Sequence, residues 1–155
     1  MQDNSCMIAS TAVLADPTCR EHDTGDGHPE SERRFDAVVH ALDVAGLTAK
    51  MLPVEPRILT REDLLLAHTA EYVALAEHEI RGGSSQLSTG DTTVSPRSWE
   101  AALAAAGSAL AAVDAVASGK ARRAFCAVRP PGHHANSDHG MGLDRKSTRL
   151  NSSHG

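Results

Sequence analysis

The chain has 155 residues and a mass of 16.3 kDa, with 15 Lys and Arg against 20 Asp and Glu. A chain of this length predicts one hydrophobic core, and 41% hydrophobic residues indicate a globular rather than a disordered protein. The net charge of −5 and the absence of a basic cluster argue against direct nucleic-acid binding.

No membrane-spanning segment is predicted, because the longest apolar stretch, residues 101–117, is rich in alanine and interrupted by glycine, serine and aspartate. The N-terminus lacks the basic region and long apolar run of a secretory signal. The cysteines, Cys6, Cys19 and Cys126, form no C-x-x-C pair. We therefore expect a reduced, cytoplasmic protein with neither a disulfide framework nor a cysteine-based zinc site.

The first predicted elements are a strand, a loop and an amphipathic helix. Residues 11–14 are apolar, which predicts a short strand, whereas residues 19–28 are polar and contain glycine, which predicts a loop. Pro29 suits the first turn of a helix, Glu30 favours its positive end, and Gly46 is expected to end it. The predicted buried face of this helix consists of apolar residues at helical spacing: Phe35, Val38, Val39 and Leu42.

A second strand and two capped helices are predicted next. Residues 50–54 form a short apolar stretch closed by prolines, which is typical of a strand. Thr60 with Asp63 resembles a capping box at a helix start, and Thr69 is expected to cap a further helix. The predicted inward face of that further helix consists of Tyr72, Leu75, Ala76 and Ile80.

The longest predicted helix follows a loop and precedes a strand. Residues 82–93 are rich in Gly, Ser and Thr, which predicts a loop. The helix is expected over residues 95–118 and to stop at Gly119; ten of its residues 101–117 are Ala, so it can lie close to a sheet. Residues 123–128 predict a buried strand. Helices that alternate with short apolar strands favour an α/β fold with a largely parallel sheet.

The last predicted strand is followed by the segment with the most distinctive chemistry, residues 129–142. In open α/β sheets, ligands bind outside the carboxyl ends of the strands. His133 and His134 would be suited there to proton transfer, because imidazole titrates near neutral pH. Two other interpretations stand beside this one. The histidines could be ordinary surface residues, or they could form a metal site with Asp138 and His139.

Several ordered motifs resemble those of the zinc-dependent histone deacetylase superfamily. RPPGHHA followed by MG is similar to the tandem-histidine loop of its class II and bacterial branch, which includes acetylpolyamine amidohydrolases. HDTGDGHPESERR resembles an early loop and the helix after it, and LLLAHTAEYVALAE resembles a helix start further on. GDTTVSPRSWEAALAAAGSALAAVDAV resembles the loop and Ala-rich helix that precede the histidines. The segments occur in family order, so the resemblance covers residues 11–143.

The resemblance implies an arginase- or deacetylase-like α/β fold and hydrolysis of an N-acetyl amide on a lysine or polyamine. It also implies a zinc ion that polarises the acetyl carbonyl and activates water. His134 would be the principal general base and acid, and His133 would orient water and stabilise charge in the transition state.

The resemblance also implies a substrate-binding role for two further residues. Gly142 would accept a hydrogen bond from the substrate through its carbonyl. Asp91 would hold the substrate backbone at the rim, although aspartate is also common in loops that precede helices. Three residues of the early motif are expected to be structural: His28, Glu30 and Arg34.

The pattern changes after Gly142. Family members carry two aspartates and one histidine as zinc ligands downstream of this loop, and a tyrosine later still. Residues 144–155, which begin DRKSTRLNSSH, resemble instead the translation of a common sequencing adapter. We therefore expect residues 1–143 to be the N-terminal portion of a deacetylase-like catalytic domain, and residues 144–155 to be a non-native tail.

This expectation leaves three kinds of protein open. The first is part of a zinc-dependent deacetylase, in which zinc is expected in the full-length protein and none in this chain, so that this chain is inactive. The second is a non-catalytic binding module of the same fold, and the third is a small His-rich metal-binding protein. The Ala-rich, low-aromatic composition favours a bacterial source. We expect an acetylated lysine or polyamine as substrate, and neither a nucleic-acid nor a membrane partner.

Overall fold

The structure, a computed structural model, describes residues 11–141. Cys6, Gly142 and the expected tail at residues 144–155 lie outside the described residues. Two 3₁₀ turns, Pro17–Glu21 and Thr48–Lys50, accompany the strands and helices. In chain order, the strands and α-helices are β1 (Ala12–Leu14), α1 (Glu32–Val44), β2 (Leu52–Pro53), α2 (Arg61–Leu65), α3 (Ala70–Arg81), α4 (Ser98–Ala117) and β3 (Ala124–Cys126).

The three strands form one parallel sheet in the order β2-β1-β3. Ala12 of β1 lies opposite Leu52 on one side and Ala124 on the other, and Leu14 lies opposite Cys126. This arrangement confirms the predicted α/β fold with a parallel sheet. It also brings the carboxyl ends of β1 and β3 to the same edge, from which the histidine loop departs.

The prediction of a buried strand at residues 123–128 is only partly right. Ala124 and Cys126 face helix α4 and are half-buried, but Phe125 between them is 41% exposed. Successive side chains of a strand point to opposite faces. Within residues 11–141, helix α4 covers only the face that carries Ala124 and Cys126.

Helix α4 is the central helix of the described residues. Ala111 and Ala112 pack against Leu14, and Ala115 packs against Ala12, so the small side chains allow the close approach to the sheet that was predicted. By length and apolar composition alone, α4 is the one described helix that could cross a membrane. Its packing against β1 and β3 is that of a core helix.

Gly107 of α4 allows a second close approach, by the segment between β2 and α2. A Cβ atom at Gly107 would lie 2.1 Å from the carbonyl oxygen of Arg57. The Arg57 amide donates a hydrogen bond to the Gly107 carbonyl at 3.2 Å. The absence of a side chain at this helix position is therefore what lets the two backbones touch.

Most of the predicted helix ends are confirmed. The Thr60 hydroxyl accepts from the Asp63 amide and the Asp63 carboxylate accepts from the Thr60 amide, which is the predicted capping box. The Thr69 hydroxyl caps α3 by accepting from the Tyr72 amide. After α1 and α4 the chain turns at Gly46 and Gly119, both with positive φ, as predicted.

The start of α1 is two to three residues later than predicted. Ser31 is the N-cap residue and the helix begins at Glu32, so Glu30 lies in the preceding loop. The Thr24 hydroxyl donates to the Glu30 carbonyl, and the His28 ring contacts the backbone of Glu30 through Nδ1. These contacts hold Glu30 in a loop conformation.

The predicted buried faces of α1 and α3 need correction, as does the loop at residues 19–28. Phe35 faces the core as predicted, but Val38 is exposed. In α3 Leu75 is exposed and Val73 is buried in its place, because residues 73, 76 and 80 share one helix face. The beginning of the predicted loop belongs to the 3₁₀ turn Pro17–Glu21.

Candidate active site

The candidate site is built on the loop that follows β3. The amide of Ala127 still donates to the Leu14 carbonyl at 2.8 Å, which continues the pairing with β1. After Ala127 the chain leaves the sheet at its carboxyl edge. Residues 129–141, which we call the histidine loop, then cross the end of the sheet towards α3.

The adjacent histidines are held at the surface with their rings against each other. His133 and His134 are both exposed, and their ring centroids lie 4.1 Å apart at an interplanar angle of 52°. His133 also lines the large cavity beside the loop. The imidazole of His133 can therefore exchange protons with a ligand in that cavity, whereas His134, the predicted principal base, is not among the lining residues and contacts the cavity wall only through the ring of His133.

The distal half of the histidine loop is fixed by the start of α3. The Thr69 amide donates to the Ser137 carbonyl at 2.8 Å, and His68 Nδ1 lies 3.0 Å from the carbonyl oxygen of Asn136. Asn136 Nδ2 in turn lies 2.7 Å from His139 Nε2. The loop is therefore tied to an element far away in the sequence.

The interpretation of four loop residues as a metal site is not supported by their geometry. The Asp138 carboxylate instead contacts its neighbour: His139 Nδ1 lies 2.7 Å from Asp138 Oδ1, and this hydrogen bond holds the pKa of Asp138 below its usual range. Among residues 11–141, no three His, Cys, Asp or Glu side chains converge on a point that a metal could occupy. The described residues therefore do not by themselves fit a zinc site.

Asp91 lies on the wall of the same large cavity as His133. Its loop is pressed against the histidine loop, since a Cβ atom at Gly90 would lie 2.7 Å from the Gly140 carbonyl oxygen. A Cβ atom at Gly140 would lie 2.9 Å from both the Tyr72 hydroxyl and Thr92 Oγ1. The two glycines let the loops meet and bring Asp91 to the same cavity as His133. Gly142, the other predicted substrate-binding residue, lies outside the described residues.

The cavity itself has a volume of about 620 Å³ and mainly apolar walls. Helix α3 contributes Val73 and Ile80, and helix α4 contributes Trp99 and Leu103. Its polar lining includes His22, Thr24, His28, Glu30 and Asp91. A mainly apolar cleft with few polar groups is the usual character of a small-molecule site.

A buried polar cluster that the sequence did not predict lies under the histidine loop. Arg129, which is 3% exposed, forms a bidentate ion pair with Glu30: Nε lies 2.8 Å from Oε1 and Nη2 lies 3.0 Å from Oε2. His22 Nδ1 lies 2.7 Å from the Ser98 hydroxyl. Burial, and after it the positive charge of Arg129, lower the pKa of His22 to about 4.

Glu30 was expected at the positive end of a helix and instead lies in the loop before it, where it neutralises this buried arginine. The sequence signal that could have found the pair is an Arg placed between an apolar strand and a Pro-Pro dipeptide, where a charged side chain has little access to solvent. His28 contacts the backbone of Glu30 through Nδ1, and Arg34 is exposed on α1.

Comparison with known proteins identifies the class to which this fold and site belong. The sequence profile of the histone deacetylase domain matches residues 28–143. The crystal structure of the HD domain of HDA15 superposes with a TM-score of 0.77 at 30% sequence identity, covering 87% of this chain and 39% of that one. The chain belongs to the histone deacetylase family.

Curated relatives of the chain come from bacteria, archaea and plants. It is 40% identical over 115 residues to the "Histone deacetylase-like amidohydrolase" of Pseudomonas aeruginosa, which covers 74% of this chain and 29% of the relative. It is 34% identical over 135 residues to a "Probable deacetylase" of Archaeoglobus fulgidus, covering 86% and 37%. "Histone deacetylase 15" of Arabidopsis thaliana is 33% identical over 145 residues, covering 90% and 26%. The chain thus spans 26–37% of the length of these relatives.

Proposed function

We propose that this chain is the N-terminal portion of a zinc-dependent amidohydrolase that removes acetyl or other acyl groups from the amines of lysine or polyamines. The observation that carries the proposal is a pair of solvent-accessible histidine rings, with centroids 4.1 Å apart, of which His133 lines a mainly apolar cavity at the carboxyl edge of a parallel sheet. Amide hydrolysis needs a group that takes a proton from water and gives one to the leaving amine, and imidazole does both near neutral pH.

The residues of the chain have distinct roles in this proposal. His134 acts as the principal general base and acid, and His133 orients the attacking water and stabilises developing charge. Asp91 holds the backbone of the substrate at the cavity rim, and Gly142 accepts a hydrogen bond from it. Asp91 and His133 line one cavity, as this arrangement requires. The zinc ligands are supplied from outside residues 11–141, whose side chains do not provide a set.

The first prediction concerns His134 in the complete gene product. His134→Ala should lower kcat for an acetyl-lysine peptide or an acetylpolyamine about 10²–10⁴-fold, because the proton-transfer group is lost. Zinc content, measured by atomic emission, should stay unchanged. His40→Ala, at an exposed position of α1, is the matched control and should keep wild-type turnover. The 155-residue chain alone should give no turnover.

Three outcomes would contradict the proposal. Near-normal turnover by His134→Ala would remove the assigned proton-transfer role. A complete gene product that folds and binds zinc but hydrolyses neither substrate class would favour a non-catalytic binding module. One zinc ion bound tightly to the 155-residue chain and lost on His133→Ala would favour a small metal-binding protein.

A further inference from the structure

We propose that Arg129 is a positioning residue for the tandem histidines: its ion pair with Glu30 and its bonds to backbone carbonyls set the course of the histidine loop. The inference rests on the proposed function, because it assigns Arg129 an effect on the reaction of His133 and His134. The side chain of Arg129 touches neither histidine in any contact described above, so its effect passes through the backbone.

The contacts of Arg129 join three separate parts of the chain at the point where the loop begins. In addition to the bidentate pair with Glu30, Nη1 donates to the backbone carbonyls of Cys19, Arg20 and His22 at 3.2, 3.2 and 2.5 Å. A planar guanidinium with a fixed fork of donors is suited to this, because all of its bonds constrain one orientation. Arg129 is therefore held in one place relative to the 3₁₀ turn and the loop before α1.

The segment between Arg129 and the histidines is short, and two of its three residues are prolines. Only Pro130, Pro131 and Gly132 separate Arg129 from His133, and proline fixes its own φ angle. At the other end of the loop, Thr69 and His68 hold residues 136 and 137. The histidines therefore lie between two fixed points, and the first of these depends on Arg129.

The same cluster could be interpreted as a hydrolytic Ser98–His22–Glu30 triad, but its geometry argues against this. Both oxygens of Glu30 are bound by Arg129, and the nearest lies 3.7 Å from His22 Nε2. The Ser98 hydroxyl already accepts a hydrogen bond from the Ser95 amide at 2.7 Å and is buried. The pKa of His22, lowered to about 4, makes its imidazole a weak base. A positioning role fits these contacts better than a nucleophilic one.

The test uses the complete gene product with Arg129→Lys, which keeps the charge but loses the bidentate fork. We expect kcat to fall at least ~10-fold with KM changed less than ~2-fold, since misplacing a catalytic group lowers the rate more than it weakens binding. Hydrogen–deuterium exchange of a peptide covering residues 129–141 should become faster. Arg97→Lys is the matched control, because Arg97 forms an exposed ion pair with Glu21 and should change neither reading.

A second variant separates positioning from simple stability. The double substitution Arg129→Met with Glu30→Met removes both buried charges, which folded proteins often tolerate. The carbonyls of Cys19, Arg20 and His22 lose their donor, so this variant should melt somewhat below the wild-type temperature. If Arg129 positions the loop, the variant should keep the low kcat and the fast exchange at temperatures where it is fully folded.

Each remaining outcome decides the question. Wild-type kcat and wild-type exchange in either folded variant would overturn the proposal, and failure of both variants to fold would assign the pair to folding alone and overturn it as well. If the wild-type protein has no deacetylase activity, the proposed function fails, but the exchange of residues 129–141 still tests whether Arg129 orders the loop.

Discussion

The imidazole of His22 differs from most histidines in how it responds to acid. It is 4% exposed and lies against the Ser98 hydroxyl, with the Arg129 guanidinium and the Glu30 carboxylate nearby. Burial and the Arg129 charge lower its pKa to about 4, while the charges of Glu30 and Asp23 act in the opposite direction and that of His28 lowers it further. The neutral form is therefore the native form at neutral pH.

The pH dependence of stability follows from this. Below about pH 6.5 the unfolded chain binds a proton at His22, whereas the native protein does so only near pH 4. Acid therefore favours unfolding, and the free energy of unfolding should lose about 3 kcal/mol from this group between pH 7 and pH 4. His22→Gln should remove this part of the slope in urea titrations across that range. His40→Gln should keep it, and equal slopes in both variants would refute the assignment.

At the level of single residues, the sequence predicted the roles of local residues, such as helix caps, better than contacts between distant residues. The cap residues Thr60 and Thr69 were found because capping is a local pattern within four residues. The Arg129–Glu30 pair was missed because its members are separated by 99 positions in the sequence. Asp91 and His133 line one cavity, and only the family resemblance, not their spacing or surroundings in the sequence, implied a shared site. Such contacts depend on the packing of whole elements.

In helix α4, the packing of a neighbouring segment reverses the usual effect of replacing glycine by alanine. Replacing glycine by alanine inside a helix normally stabilises it by about 1 kcal/mol. At Gly107 the added Cβ would lie 2.1 Å from the Arg57 carbonyl oxygen, so the backbone between β2 and α2 must move. The cost of such overpacking is about 1–3 kcal/mol.

We predict that Gly107→Ala lowers the free energy of unfolding by up to about 2 kcal/mol, because the clash exceeds the gain in helix propensity. Chemical denaturation followed by circular dichroism measures the change. Ala109→Gly, at an exposed position of α4, is the control and should lose about 1 kcal/mol from propensity alone. A Gly107→Ala protein that is more stable than wild type would contradict the close approach.

Element boundaries were predicted to within two or three residues, but the orientation of helix faces was less accurate. Val38 and Leu75 were expected to be buried and are exposed, while Val73 is buried. All three are apolar residues at the margin of the apolar face of a helix, where helical spacing alone is compatible with burial or with exposure. Which side is covered depends on where the neighbouring loops lie, and local periodicity carries no information on that.

For the whole molecule, the alternation of helices and strands predicted the parallel α/β class but not the strand order. Within residues 11–141, β3 is paired with β1 on one side only, and Phe125 is 41% exposed on its outer face. An unpaired edge beside an exposed aromatic side chain favours association between chains.

We predict that this chain self-associates in a concentration-dependent way and that Phe125→Lys raises its monomer fraction at least ~2-fold, because a charge on an edge strand opposes pairing. Analytical ultracentrifugation at several concentrations gives the measurement. Val113→Lys adds the same charge to an exposed position of α4 and is the control. Monomeric behaviour of the wild-type chain, or an equal effect of both substitutions, would refute the prediction.

The contacts of the histidine loop also have a consequence for the order of synthesis. The residues described above as holding residues 129–141 all precede the loop in the chain: Cys19, Arg20, His22, Glu30, His68 and Thr69. The chain leaves the ribosome with its N-terminus first, and early segments can fold while later ones are still being made. When the histidine loop leaves the ribosome, all the residues that hold it have therefore already been released and can be folded.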